Sequence, residues 1–394
     1  MGAHSVGALK RICVVVTARP SWAKLEPVCR ALLARPHVEL QIVACASALL
    51  ERYGNVSQVI EAQGYTITER VWSTYEGANL LTSAKESGAL VSELASVLSR
   101  LRPGCVVVCA DRHEVLAAGQ AAAYQHIDLA HLQGGERSGS IDDKVRDSIT
   151  ALADIHFPST ELAAFRVYSM TGSANVHWVG CPSIDVAKEA QYEPPVTVEE
   201  LGGAHDPIDL SEPFGIVLQH PVTDEAEQAY AHMRTTLGAL YHADLDAVVM
   251  WPGQDAGADG ASKAIREMAA APNKPAIHTV RNLPPNRFLR LLTQASVLVG
   301  NSSCGIRESS WLGVPVVDIG NRQRGRQRAK NVVWAPHDAA QISKAIEQQI
   351  AHGRYPSSDL YGNGTAGERI AEILASTEEK QPNGAIMIGA RRCL

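Results

Sequence analysis

The chain has 394 residues, 45% of them apolar, 20% charged and 5% aromatic, too long for one ordinary core and balanced like an α/β protein rather than a disordered or membrane one. Its formal net charge of −6 argues against a nucleic-acid binder, so an acidic ligand would have to be met by local clusters of positive charge. No apolar run reaches the roughly 18 residues of a membrane span, and the start MGAHSVGALKR lacks the apolar core of a secretory signal, so a cytoplasmic protein is expected.

In chain order, RICVVVT (Arg11 to Thr17) reads as a first strand and Ser21 to Leu33 as a helix. VELQIVACA, a long helix from about Ser83 to Leu101, GCVVVCAD and QHIDLAHLQGG follow. Strands rich in Val and Ile that alternate with helices indicate a parallel sheet covered on both faces. The pattern breaks near VGCPSID (Val179 to Asp185), and EPPVTVEELGGAHDPIDLSEP reads as a linker. Alternation restarts with FGIVLQH, LDAVVMWPG, PAIHTVRNLP, ASVLVGNSS and VPVVDIGN. The expected fold class is therefore α/β, with two doubly wound, Rossmann-like domains at 1–185 and 186–365 facing a ligand cleft at the carboxyl ends of their strands. After Ser376, charge, proline and glycine without periodicity predict a disordered tail over 377–394. The eight cysteines are scattered and several sit in apolar segments; buried thiols are expected, without disulfides or a structural zinc.

The residues with chemical potential stand at strand ends. Arg19 follows the first strand, and CADRHE places Asp111 beside Arg112. In HLQGGERSGSIDDKVRD, Asp142 and Asp143 are either helix N-terminal charges or, for one of them, the partner of Asp111 in an acid/base pair. His220 in VLQHPVT could bind phosphate or pass a proton. NRQRGRQR puts four arginines in eight residues, a solvated turn or a diphosphate clamp of bidentate guanidinium bonds. In VLVGNSSCGIRESSWLGVPVV, Ser302, Ser303 and Gly305 offer hydroxyls and N–H groups to a phosphate, while Glu308 could accept bonds from ribose hydroxyls.

GNSSCGIRE, IGNRQRGR, LQHPVT, GCPSID, YGNVSQVIE and SGSIDDKVR together resemble the hydrolysing UDP-N-acetylglucosamine 2-epimerases of sialic-acid and related nonulosonate pathways, from about Arg11 to Ser376. The resemblance implies the GT-B fold, with a last helix, AGERIAEILAS at 366–376, crossing back to the first domain. It implies a UDP-sugar substrate, no metal or other cofactor, and a homodimer or homotetramer. In the implied reaction a base removes the proton at sugar carbon 2, UDP leaves to give a glycal, and water adds to give the free 2-epimer. By position, Asp111 and Asp142 match proton-handling carboxylates and His220 a histidine close to the diphosphate. Arg19, Arg112 and Arg326 would hold the diphosphate with Ser302 and Ser303 beside it, Glu308 the ribose, and the backbone near Leu283 the pyrimidine.

Four positions depart from the family pattern. HIEGGE is HLQGGE here, so Gln133 replaces a possible catalytic glutamate and Glu136 is the nearest acid that could substitute. IRHAIT is VRDSIT, which puts Asp147 in place of a histidine. GGEV becomes GGER at Arg137, and PNxDAG is PGQDAG with Gly253. These changes cluster in motifs on the sugar side. The competing expectations are a related enzyme acting on a different nucleotide sugar, a GT-B glycosyltransferase, or a nucleotide-sugar-binding protein without activity.

Overall fold

The computed structural model describes residues 9–75, 79–139, 141–253, 255–272 and 275–376; the tail expected over 377–394 lies outside them. The first domain holds β1 (Lys10–Val16), β2 (Val38–Cys45), β3 (Glu69–Val71), β4 (Cys105–Cys109), β5 (Asp128–Leu132) and β6 (Ile155–Phe157), in the order β3-β2-β1-β4-β5-β6. Every pairing among them is parallel. The second sheet holds β7 (Ala204–His205), β8 (Gly215–Leu218), β9 (Ala247–Met250), β10 (Ile277–Val280), β11 (Val297–Gly300), β12 (Val316–Ile319) and β13 (Val332–Ala335), in the order β13-β12-β11-β8-β9-β10-β7. Only β7, on the edge, runs antiparallel to its neighbour.

Alternation along each strand shows why these runs need almost no polar residue. Ile12, Val14 and Val16 enter one apolar cluster while Cys13 and Val15 of the same strand enter another. In the second sheet, Val217, Val249 and Val299 face one layer of helices, and Ile216, Leu218, Val248 and Leu298 face the other. Both faces of both sheets are thus buried, as a parallel sheet with helical crossovers requires.

The last helix, Ala366–Ser376, crosses back to the first domain. Ile370, Ala371 and Leu374 join the cluster built by Trp22, Leu25, Val28 and Leu32 of helix Arg19–Leu33. Asp185 accepts hydrogen bonds from the N–H groups of Ala366 and Gly367 at 3.1 and 2.7 Å, and so caps the helix from a distant segment. A side chain on Gly367 would meet Pro27 at 2.7 Å, so glycine sets the close approach of the two helices.

The expected linker is not structureless. Helix Val198–Leu201 begins there with a capping box between Thr197 and Glu200, and β7 follows it. Among the described residues seven cysteines are free thiols, and all but Cys304 are buried. Among the described residues, no helix is long and apolar enough to cross a membrane.

Candidate active site

The carboxyl ends of both sheets open onto one cavity of about 480 Å³. β1 delivers Arg19, β4 delivers Asp111 and Arg112, and β5 delivers Gln133. From the second domain, β8 leads to His220, β11 to Ser302 and Ser303, and β12 to Arg322 and Arg326. The turn after β11 depends on Gly300: its φ is +142°, and a side chain there would meet the Leu218 carbonyl at 2.3 Å. Asn301, beside it and buried, then joins three loops. Its Oδ1 accepts the His220 N–H at 2.7 Å, its Nδ2 donates to the His220 carbonyl at 2.8 Å, and its own carbonyl accepts from Arg322 and Gln323.

Nine lining residues are lysine or arginine and four are aspartate, in a chain that is acidic as a whole. Several charges are already answered. Arg112 pairs with Asp255 at 3.1 Å and with Glu114. Arg146 bonds Asp111 and lies 2.6 Å from Asp143. Arg326 lies 3.7 Å from Asp111 and 3.0 Å from Glu136, whose carboxylate also takes Arg307 at 2.6 Å. Arg19, Lys24 and Arg322, in contrast, line the cavity without a carboxylate partner among the described residues; Arg19 bonds Asn282 and Arg322 donates to the Asn301 carbonyl. Lys24 is itself buried. Unpaired charge at low exposure is costly, so these three cations mark the cavity as an anion site.

The same network sets protonation. Burial would raise the Asp111 carboxyl, but Arg146 and Arg326 outweigh it and hold it below the usual carboxylate range. Burial would likewise raise Glu136, yet Arg307 and Arg326 bring it down to about 2. His220 is lowered to about 3, first by burial and then by Arg322. It is therefore a neutral imidazole at pH 7, and its buried Nδ1 has no partner.

Of the residues expected from sequence, Arg19, Asp111, Arg112, Gln133, Asp142, His220, Ser302, Ser303 and Arg326 line the cavity together. Leu283, Gly305, Glu308 and Glu136 are not among its lining residues. Leu283 packs into the apolar layer under the second sheet, and a side chain on Gly305 would meet Val316 at 3.0 Å. Glu308 is buried with Oε2 unpartnered. Glu136, the expected substitute acid, is buried; one carboxylate oxygen meets Arg307 and Arg326, and the other has no hydrogen-bond partner. Arg137 and Asp147, both departures from the family pattern, bond each other at 2.6 Å. Lys24, Arg146, Asp255, Arg307 and Arg322 were not singled out from sequence. The only signal for Arg322 was its place in the arginine-rich turn, and Arg146 and Arg307 lie in segments that read as ordinary helix.

Two doubly wound domains facing a basic cavity define a GT-B-type fold with an arginine-rich cleft. A family model described as UDP-N-acetylglucosamine 2-epimerase matches residues 30–375, and the chain belongs to that family. The UDP-N-acetylglucosamine 2-epimerase of Neisseria meningitidis is 28% identical over 378 residues, 94% of this chain and 96% of its own length. The UDP-N,N'-diacetylbacillosamine 2-epimerase (hydrolyzing) of Legionella pneumophila is 26% identical over 93% of this chain and 96% of its own length. In fold, the chain is similar to the crystal structure of the Neisseria meningitidis enzyme bound to UDP-GlcNAc, with a TM-score of 0.78, 19% identity, and coverage of 93% of this chain and 100% of that one.

Proposed function

We propose that the chain is a hydrolysing 2-epimerase of a UDP-2-acetamido sugar, with UDP-N-acetylglucosamine as the first candidate and N-acetylmannosamine and UDP as products. The observation that carries this reading is the trio Arg19, Lys24 and Arg322, buried or half-buried in the cavity with no carboxylate at ion-pair distance among the described residues. A diphosphate supplies the missing charge. Arg112 and Arg326 add to it from the two domains, Ser302 and Ser303 lie beside it, and Glu308, with an unpartnered carboxylate oxygen, is assigned to the ribose hydroxyls. The backbone near Leu283 is assigned to the pyrimidine.

In the chemical step a carboxylate takes the proton from sugar carbon 2. The electrons of that bond form the C1=C2 double bond, and the C1–O bond breaks with its pair going to UDP. Water then adds its oxygen to C1 while a proton returns to C2 from the opposite face, which leaves the free 2-epimer. Asp111 and Asp142 are the proton carriers in this reading. Without ligand, Asp111 is a weak base, because Arg146 and Arg326 hold its charge. A diphosphate that draws Arg326 to itself raises the basicity of Asp111, so binding prepares the base. His220, neutral, donates a hydrogen bond to the leaving diphosphate, and the arginines stabilise the charge that develops there.

Gln133 favours a second candidate for the sugar. It stands where the family pattern has a glutamate, donates from Nε2 to the Cys181 sulfur at 2.9 Å, and leaves Oε1 buried and unpartnered in the cavity wall. An amide there can orient a sugar donor but cannot carry a proton. Together with the similarity to the Legionella pneumophila enzyme, this makes a diacetamido sugar the alternative. Incubation of the purified chain with UDP-N-acetylglucosamine or UDP-N,N'-diacetylbacillosamine, followed by NMR, should show UDP and a free 2-epimer from one of them. A 2-epimer still linked to UDP would contradict the hydrolysing assignment.

A further inference from the structure

Behind His220, three side chains that take no part in the proposed reaction come together. Glu225 lies in the 3₁₀ segment Thr223–Gln228, at the residue where its backbone leaves helical geometry (φ −122°, ψ 22°). His232 lies on helix Ala229–His242, and His337 follows β13. The two imidazole rings stack with centroids 3.6 Å apart and planes 4° from parallel. Nδ1 of His232 is 3.7 Å from a Glu225 oxygen. One ligand-type atom from each residue lies within 4.8 Å of those of the other two.

Nδ1 of His337 is buried without a hydrogen-bond partner. Gly320, with φ +72°, makes room for this ring: a side chain there would meet His337 Nε2 at 2.4 Å. A small void of about 10 Å³ separates the pair from the cleft, bounded by His220, Met233 and Asn301 among others.

We propose that Glu225, His232 and His337 form a binding site for a divalent transition-metal ion of the zinc type. Two imidazoles and one carboxylate suit zinc, cobalt or nickel better than magnesium or calcium, which prefer oxygen ligands throughout. An imidazole binds a metal through the lone pair of an unprotonated nitrogen, and Nδ1 of His337 has no hydrogen-bond partner to occupy it. Bonds of about 2.0–2.2 Å require the three ligand atoms to draw closer together and the stacked rings to tilt. The side chains can follow, because none of the three is hydrogen-bonded elsewhere among the described residues. A fourth position would be left for water.

The other histidine–carboxylate group, Glu86, His113 and Glu114, differs on this point. Glu114 is taken by Arg112, and Glu86 accepts from the Thr74 hydroxyl at 3.0 Å. An ion on the first group would tie the segment after His220 to the end of β13. It would stiffen one wall of the cleft without entering the reaction.

The test uses the full chain, stripped with a chelator and titrated with zinc by calorimetry and with cobalt(II) by visible absorption. Wild type should bind one equivalent of zinc, gain thermal stability on binding and show cobalt ligand-field bands. His337→Ala and His232→Gln should each weaken zinc at least tenfold and remove the cobalt bands. Glu225→Gln, at a partly exposed position, should also weaken zinc while keeping the unliganded melting point. A wild type without zinc binding or cobalt bands would overturn the proposal, and so would binding unchanged in all three variants.

Discussion

Glu136 and Arg326 form a buried ion pair at the cavity, and their variants separate a contribution to the fold from the proposed contribution to the ligand. Glu136 answers two buried guanidinium groups, and removing one member of a buried pair typically costs about 3–5 kcal/mol. Glu136→Gln should therefore lower the melting temperature markedly, whereas a proton-transfer residue would lose turnover with stability intact; thermal melts beside kinetics distinguish the two. Its carboxyl is lowered from 4.5 to about 2, so the stability it contributes is complete above about pH 4.5 and is lost as pH falls toward 2. The variant should flatten that acid limb in unfolding curves. Arg326→Ala removes a charge-assisted partner of the proposed diphosphate, worth about 1.5–3 kcal/mol, or roughly one to two decades in UDP affinity by calorimetry. Undiminished affinity would sink that assignment. Arg19, Asp111 and His220 were legible because a doubly wound fold presents whatever follows its strands. Arg146 and Arg307 were not, since sequence does not show which arginine in a helix or at its start turns inward. The burial of Glu136 behind the cavity lining was not legible either: distance along the chain from Gln133 says nothing about which side of the turn faces the cleft.

At the scale of elements, the crossover helix depends on contacts made far from its own sequence. Asp185 supplies the oxygens for its first N–H groups, and losing such a cap costs about 0.5–2 kcal/mol. Asp185→Ala should lower the denaturant midpoint by that measure while leaving UDP binding in place, since Asp185 lies outside the cleft lining. Its pH sign is opposite to that of Glu136. Burial raises the Asp185 carboxyl from 3.8 to about 6, so the folded state is favoured below about pH 3.8 and loses that advantage as pH rises through 6. The long apolar strands were legible from their Val and Ile runs. β3, β6 and β7 were not, because a strand of two or three residues leaves no periodicity to read. β13 was missed for its edge position, where only Ala335 of its four residues is buried.

At the scale of the whole molecule, two domains line one cleft in an acidic chain, and each brings both cations and carboxylates to it. The first brings Asp111, Asp142, Arg19, Lys24 and Arg112, and the second brings His220, the serine pair, Asp255 and two of the four arginines of the arginine-rich turn, Arg322 and Arg326. The two domains and the cleft at their strand ends were legible in the alternation of strands and helices. The excess of unpaired cations appeared only once both halves were placed together. The central claim is that a carboxylate removes the proton at sugar carbon 2 and solvent replaces it. The most direct test is turnover of the UDP-sugar in D₂O with NMR of the released sugar. Deuterium at carbon 2 of a free 2-epimer, formed together with UDP, is the expected result. A free sugar that keeps its original hydrogen at carbon 2 would contradict elimination and point to direct hydrolysis of the sugar–phosphate bond.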